Sequence, residues 1–141
     1  VDFIRNLGVK VSNVVILQVE VNNKDYLSYN VSLKTTNNDY KDKDFGFALA
    51  DFEKRAKHYK ANYQPITQQE LQSYKGVVNH YFTIKDAGNE VALCDLNDNA
   101  QSDKTVGLVK EMVVNYKENY GNEYRKLVVR FTGQELGNDR E

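Results

Sequence analysis

The sequence predicts a soluble α+β fold, in which a five-stranded, mostly antiparallel sheet carries two main amphipathic helices on one face. Two observations lead to this prediction. Apolar residues recur at helical spacing in residues 44–63 and again in 105–120, and five shorter segments alternate apolar and polar residues with the period of a strand. Two helices that each have one apolar face need a surface to cover, and an antiparallel sheet offers one.

Residues 44–63 form the clearest predicted helix. Asp44 is placed to cap its first turn, and Gln64-Pro65 ends it because the residue before a proline is pushed out of the α region. The predicted apolar face consists of Phe45, Ala48, Leu49, Phe52, Ala56, Tyr59 and Tyr63.

Residues 105–120 form the second predicted helix, with Asp103 or Thr105 as its cap and Gly121 as its stop. Because valines favour strands, a strand over 106–114 is the alternative. The spacing of Val106, Val109 and Val113 favours the helix.

Period-two alternation predicts two hairpins and a final strand, and a short helix lies between the hairpins. Thr67 and Glu70 match a capping box, which starts that short helix. The predicted strands are residues 14–21, 26–34, 77–85, 90–96 and 124–132.

This order resembles a ββα–ββα pseudo-repeat, with halves 14–63 and 77–120 followed by one more strand. A duplication explains it, and so does the fact that ββα is a common unit. We expect residues 1–141 to form a single domain with a flexible tail at 134–141.

Composition excludes several classes of protein. The net charge of −1 gives no overall attraction to nucleic acid or to an anionic membrane. The single cysteine, Cys94, excludes an internal disulfide and a multi-cysteine zinc site, and no apolar run reaches the length of a membrane span.

The sequence predicts no cofactor. Its start at Val1 fits a cytoplasmic chain and an excised or mature domain of an exported protein equally well.

Neither histidine belongs to a catalytic motif, so we predict no catalytic residue. His80 alternates with Val78 and Phe82, which indicates a packed, hydrogen-bonded side chain, whereas His58 lies near a helix end. Cys94 lies within a strand, where a small buried residue fits. A ligand or nucleophile site that pairs His80 with Cys94 is the alternative.

The loop after the fourth predicted strand resembles the first half of an EF-hand calcium loop, with oxygen-bearing side chains at Asp95, Asn97, Asn99 and Asp103. Ala100 stands where the turn glycine belongs, and Val106 stands where the bidentate glutamate belongs. We therefore predict no metal site and interpret the loop as a turn and helix cap.

Basic residues flanked by tyrosine form the candidate binding surface. Stacking and positive charge together are typical of single-strand nucleic-acid binding, although cations also favour helix C-termini for structural reasons. The residues are Lys54, Arg55, Lys57, His58, Tyr59, Lys60, Lys117, Arg125 and Lys126.

A foldable core without a convergent catalytic set favours a non-catalytic protein-interaction or accessory domain. Nucleic-acid binding and a site around His80 and Cys94 are the alternatives. We expect another protein as the partner, and residues 124–132 offer an edge strand through which two copies can pair.

Overall fold

Three strands form a mixed sheet in the computed structural model, which describes residues 1–8, 13–34, 41–96 and 103–133. They are β1 (Val15–Glu20), β2 (His80–Lys85) and β3 (Glu90–Asp95), in the order β1-β2-β3. β1 runs parallel to β2 and β3 runs antiparallel to it. The prediction of a five-stranded, mostly antiparallel sheet is therefore wrong.

Six helices accompany these strands in the described residues, so the α+β class is confirmed. A 3-10 turn, Asp86–Gly88, joins β2 to β3, and a π-helical turn, Lys117–Gly121, precedes the last helix. The helices are α1 (Asp2–Arg5), α2 (Lys24–Lys34), α3 (Phe45–Asn62), α4 (Gln68–Tyr74), α5 (Lys104–Val114) and α6 (Asn122–Thr132).

Side-chain caps begin three of the helices where the sequence predicts them. Asp44 accepts a hydrogen bond from the backbone N–H of Phe47 in α3, and Asp103 accepts one from Thr105 in α5. Thr67 and Glu70 form a complete capping box at α4.

Residues 24–34 form α2 instead of the predicted second strand. The side-chain Oδ1 of Asn23 accepts hydrogen bonds from the backbone N–H groups of Asp25, at 2.9 Å, and Tyr26, at 3.2 Å. Asn23 is therefore a helix cap and not a turn residue. Without that strand the first predicted hairpin does not form, and β1 pairs with β2.

The predicted fifth strand, 124–132, is helix α6. Tyr124 makes edge-on ring contacts with Tyr26 and Tyr29, and Phe131 contacts Tyr29 at 5.7 Å between centroids. Tyr124, Val128 and Phe131 are spaced as on one helical face, and Val128 is buried. The ββα–ββα order and the edge strand proposed for a homodimer are therefore absent from the described residues.

The chain divides into two compact units, which we describe separately. Unit 1 comprises Val1–Val21 and Ile66–Glu123, and unit 2 comprises Asn22–Pro65 and Tyr124–Glu141. In unit 1, one face of the sheet packs its Phe82 and Ile84 on Val106 and Val113 of α5. A second cluster contains Leu71 and Val78, with Ile16 and Tyr81 from the opposite face of the sheet packed against it. In unit 2 the buried apolar residues are Tyr26, Val31, Ala48 and Val128.

Only the first half of α3 is packed. Ala48 is buried and Leu49 and Phe52 are half-buried, whereas every residue from 53 to 65 is exposed. The predicted apolar face is therefore wrong in its second half, where Ala56, Tyr59 and Tyr63 all face solvent.

The polar loops at 35–40 and 97–102 and the predicted tail at 134–141 lie outside the described residues. Among the helices that the structure describes, none combines the length and the apolar character needed to cross a membrane.

The backbone of the turn between β2 and β3 packs directly against the backbone of the π-helical turn. Asp86 and Ala87 adopt positive φ angles of 49° and 56°, followed by Gly88 at 89°. A Cβ atom placed on Gly121 would lie 1.9 Å from the carbonyl oxygen of Ala87. This contact needs a glycine at 121.

We expect Gly121→Ala to destabilise the protein by about 2 kcal/mol or more, because the added methyl group forces two backbone segments apart. Gly107→Ala is the matched control. Position 107 lies within α5 with nothing within 4 Å of an added Cβ, so we expect stabilisation of roughly 0.5–1 kcal/mol. Urea unfolding of the two variants measures whether stability falls for Gly121→Ala and rises for Gly107→Ala. An unchanged midpoint for Gly121→Ala would contradict the close contact between Gly121 and Ala87.

Candidate functional site

The second half of α3 holds six of the nine predicted binding residues. Lys54, Arg55, Lys57, His58, Tyr59 and Lys60 are all exposed in unit 2, and the Tyr59 side chain is among the most exposed large apolar groups, at 69%.

Three of these residues share one side of the helix. Arg55, His58 and Tyr59 are three and four positions apart, so their side chains project in similar directions. The Arg55 Nε atom lies 3.1 Å from Asp51 Oδ2, and the His58 ring meets the Tyr59 ring edge-on at 6.0 Å. We call Arg55, His58 and Tyr59 the α3 cluster. Guanidinium, imidazole and hydroxyl groups are suited to bind an anion.

The α3 cluster is supported by residues on either side of it along the helix. Asp51 pairs with Arg55 and so restricts its rotation, although an exposed pair of this kind contributes little to stability. The Asn62 Nδ2 atom lies 2.8 Å from the carbonyl oxygen of His58 and 3.4 Å from its Nε2. Arg55 and His58 thus each have a polar neighbour one helical turn away on α3.

The remaining predicted residues lie on other elements. Arg125 and Lys126 are exposed on α6, whose aromatic contacts are with α2. Lys117 lies in the π-helical turn of unit 1. Helix α3 therefore brings six of the nine predicted residues together. The other three lie in the π-helical turn and on α6.

A second polar cluster lies in unit 1, around His80. The His80 side chain is 2% exposed and packs beside Phe82, with 5.6 Å between the ring centroids. Its Nδ1 lies 2.6 Å from Asp95 Oδ1, and Lys110 Nζ lies 3.1 Å from the carboxylate of Asp95. The strand register explains the pairing, because His80 lies directly opposite Asp95.

The bond from His80 and then the bond from Lys110 hold the pKa of the Asp95 carboxyl below its ordinary value of 3.8. The Nε2 atom of His80 is buried and has no hydrogen-bond partner among the residues that the structure describes. The Asp95 carboxylate on β3 therefore connects β2 and α5 through its bonds to His80 and Lys110.

Cys94 lies opposite Tyr81, so it lies on the face of the sheet away from His80. It is also exposed, not buried as the sequence predicts. The alternative of a His80–Cys94 nucleophile pair is therefore wrong.

The candidate calcium loop is only partly described. Asn97 and Asn99 lie outside the described residues, Asp95 binds His80 and Lys110, and Asp103 caps α5 while it accepts a hydrogen bond from Asn13. In the described ranges, no three His, Cys, Asp or Glu side chains are grouped so that they could hold a metal ion.

The comparison with protein families decides the class of the protein. The sequence model for 6-phosphofructo-2-kinase matches residues 1–120. The chain belongs to the 6-phosphofructo-2-kinase family. Comparisons with curated proteins and with solved structures find no match.

Membership of the 6-phosphofructo-2-kinase family overturns the prediction of a non-catalytic protein-interaction or accessory domain, because the family is one of kinases. The prediction rested on a missing catalytic constellation within these residues.

Sequence reasoning missed Lys110 as a partner of Asp95. The signal was present, since the second predicted hairpin already places Asp95 near His80 and Lys110 lies beside Val109 on the predicted helix. Sequence alone did not indicate which way that helix crosses the sheet.

We expect Asp95→Asn to reduce the loss in free energy of unfolding that occurs as the pH falls below about 4. A carboxyl whose folded pKa is lowered stabilises the fold above its ordinary value of 3.8, and this stabilisation is lost as the pH falls through the folded pKa. Wild type should therefore lose more stability below about pH 4 than Asp95→Asn does. Urea unfolding at several pH values measures the difference. Glu111→Gln, an exposed charge removal on α5, should keep the wild-type slope, and equal slopes in all three proteins would contradict the role of Asp95.

Proposed function

We propose that this protein takes part in phosphoryl transfer to fructose 6-phosphate, and that the α3 cluster binds the phosphate group of that sugar. Membership of the 6-phosphofructo-2-kinase family, matched over residues 1–120, is the observation that carries the proposal. The anionic ligand that we propose for the basic residues is therefore a small phosphorylated sugar and not the nucleic acid considered from the sequence.

The reaction named by the family forms a bond between the 2-hydroxyl oxygen of the sugar and the terminal phosphorus of a nucleoside triphosphate. The bond from that phosphorus to the diphosphate leaving group breaks, and the hydroxyl proton is released. Catalysis of this kind depends mainly on positioning and charge stabilisation. A group that holds the 6-phosphate fixes the sugar at its far end and so orients the 2-hydroxyl.

The α3 cluster suits a phosphate monoester. The planar Arg55 guanidinium can donate two parallel hydrogen bonds to phosphate oxygens, and the Tyr59 hydroxyl can donate a third. Lys54, Lys57 and Lys60 on the same half of α3 raise the local positive potential. The cluster lies near the C-terminus of α3, where the helix dipole disfavours an anion. Binding therefore depends on these side chains and not on the helix end.

Kinases of this type also bind Mg²⁺ and the phosphates of the nucleotide. The described residues do not fit a metal, and Asp95, the most distinctive carboxylate, is already bonded to His80 and Lys110. The sequence also contains no GxxxxGK[ST] phosphate loop. We therefore assign this chain only to the sugar phosphate.

We expect fructose 6-phosphate to bind the chain and Arg55→Ala to raise its Kd about 10- to 100-fold. A hydrogen bond to a charged group is worth about 1.5–3 kcal/mol, and about 1.4 kcal/mol is a factor of ten. Tyr59→Phe should raise the Kd less, because it removes a neutral donor. Isothermal titration calorimetry measures both.

Two controls separate this site from general charge effects. Lys104→Ala removes an exposed cation from α5 and should leave the Kd unchanged. Fructose without its phosphate should bind at least tenfold more weakly than fructose 6-phosphate. Equal Kd values for Arg55→Ala and Lys104→Ala would contradict the assignment of the phosphate to the α3 cluster.

A further inference from the structure

We infer that His58 is a further ligand of the sugar phosphate, which it contacts through its Nδ1–H group, and that Asn62 sets this tautomer of the neutral ring. The inference rests on the proposed function, because it adds a ligand and a positioning residue to the phosphate site on α3. Arg55 and Tyr59 supply three hydrogen-bond donors to that site, and His58 lies on the same side of the helix.

The side-chain amide of Asn62 lies against two groups of His58. Its Nδ2 atom lies 2.8 Å from the backbone carbonyl oxygen of His58 and 3.4 Å from Nε2 of the imidazole ring. A carbonyl oxygen only accepts hydrogen bonds, so the amide atom beside it is the donor nitrogen and not the amide oxygen. The backbone of His58 therefore determines which end of the Asn62 amide lies beside the ring.

The amide nitrogen of Asn62 in turn determines which ring nitrogen carries the proton. In a neutral imidazole one nitrogen is a donor and the other is an acceptor, and the hydrogen bond that one nitrogen makes selects the tautomer. A proton on Nε2 would point at the hydrogens of the amide, whereas an unprotonated Nε2 accepts from them. The contact therefore favours the neutral form of His58 that carries its proton on Nδ1.

The Nδ1–H group of His58 is left for a ligand. His58 is exposed, and its Nδ1 atom makes no hydrogen bond within the ranges that the structure describes. A phosphate monoester presents three strong acceptor oxygens, so it can accept from Arg55, Tyr59 and His58 together. The opposite tautomer would turn a lone pair toward the anion. The tautomer of His58 therefore decides whether the ring attracts or repels the phosphate.

His80, the other of the two histidines in the chain, is an internal reference. Its Nδ1 atom lies 2.6 Å from Asp95 Oδ1, and a carboxylate only accepts hydrogen bonds, so a neutral His80 also carries its proton on Nδ1. An exposed imidazole without such neighbours mainly carries its proton on Nε2. Both histidines should therefore depart from that ordinary form, but only the tautomer of His58 should depend on Asn62.

Long-range proton–nitrogen correlation spectra of the ligand-free chain test the tautomer. On the high-pH plateau of the titration, where both rings are neutral, the nitrogen shifts should assign the proton of His58 to Nδ1. In Asn62→Ala the proton of His58 should move to Nε2, while His80 should keep its pattern. A proton on Nε2 in wild type, or identical His58 spectra in the two proteins, would overturn the role of Asn62.

Two replacements of similar shape test the bond to the phosphate. The side-chain nitrogen of asparagine can occupy the position of Nδ1 in an imidazole, whereas that of glutamine reaches the position of Nε2. His58→Gln should therefore raise the Kd of fructose 6-phosphate more than His58→Asn does, by a further factor of about 3 to 10. Calorimetry at the pH of the plateau measures both values, and equal Kd values would refute the bond from Nδ1–H.

A double-mutant cycle tests whether Asn62 acts through His58. Asn62→Ala should raise the Kd of fructose 6-phosphate about two- to fivefold when His58 is present, because the favoured tautomer is lost. In the His58→Gln background, where no ring remains, the same substitution should add no further increase. An equal increase in both backgrounds would show that Asn62 acts elsewhere, and would overturn its role as a positioning residue.

The experiments distinguish a failure of this inference from a failure of the proposed function. If Arg55→Ala weakens binding while His58→Asn and His58→Gln bind equally, the phosphate site on α3 stands and His58 is not its ligand. If fructose 6-phosphate does not bind the chain, both ligand assignments fail. The spectra use no sugar, so they report the effect of Asn62 on the tautomer in either case.

Discussion

Parallel strands cannot be joined by a tight turn, so the pairing of β1 with β2 forces residues 21–79 to leave the sheet and return before β2 begins. The pairing is fixed at its start by Asn79, whose side-chain Oδ1 accepts a hydrogen bond from the backbone N–H of Val14 at 2.9 Å. The backbone N–H of Asn79 donates in turn to the carbonyl oxygen of Val14, also at 2.9 Å. The connection between these points contains α2, α3 and α4, so the helix with the candidate site lies in the crossover between two parallel strands.

The two polar clusters differ in the way that a structural and a ligand-binding group usually differ. His80 is buried and Asp95 is bonded from two sides, so removing the Asp95 carboxylate would leave the buried Nδ1 of His80 without its partner. The α3 cluster is exposed, and its polar contacts are with Asp51 and Asn62, each one helical turn away. Residues 53–62 of α3 are exposed in the part of the chain that the structure describes, so they gain little from burial, and Tyr59 remains accessible.

Sequence patterns identified the helices that have strong local caps and missed those that depend on distant contacts. Asp44, Thr67 and Asp103 each signal a helix start in the sequence, and α3, α4 and α5 begin where they predict. α2 was missed because asparagine is equally typical of turns and helix caps, and because Leu27, Tyr29, Val31 and Leu33 alternate like a strand. α6 was missed because its valines favour strands, whereas ring contacts between Tyr124, Tyr26 and Tyr29 stabilise it as a helix. The residues of the candidate site were predictable as a basic cluster, whereas the sugar phosphate that we propose as their ligand comes from family membership.

The distance along the chain between β1 and its partner also affects how the protein is made. Val14 and Asn79 are 65 positions apart, and ribosomes add about 5–20 residues per second, so β1 leaves the ribosome on the order of 3–13 s before its neighbour is synthesised. During that interval β2, the described neighbour of the segment VILQVE, does not yet exist, and exposed apolar strands are prone to aggregate. The sequence separation of β1 and β2 therefore sets how long this apolar strand waits for its neighbour during synthesis.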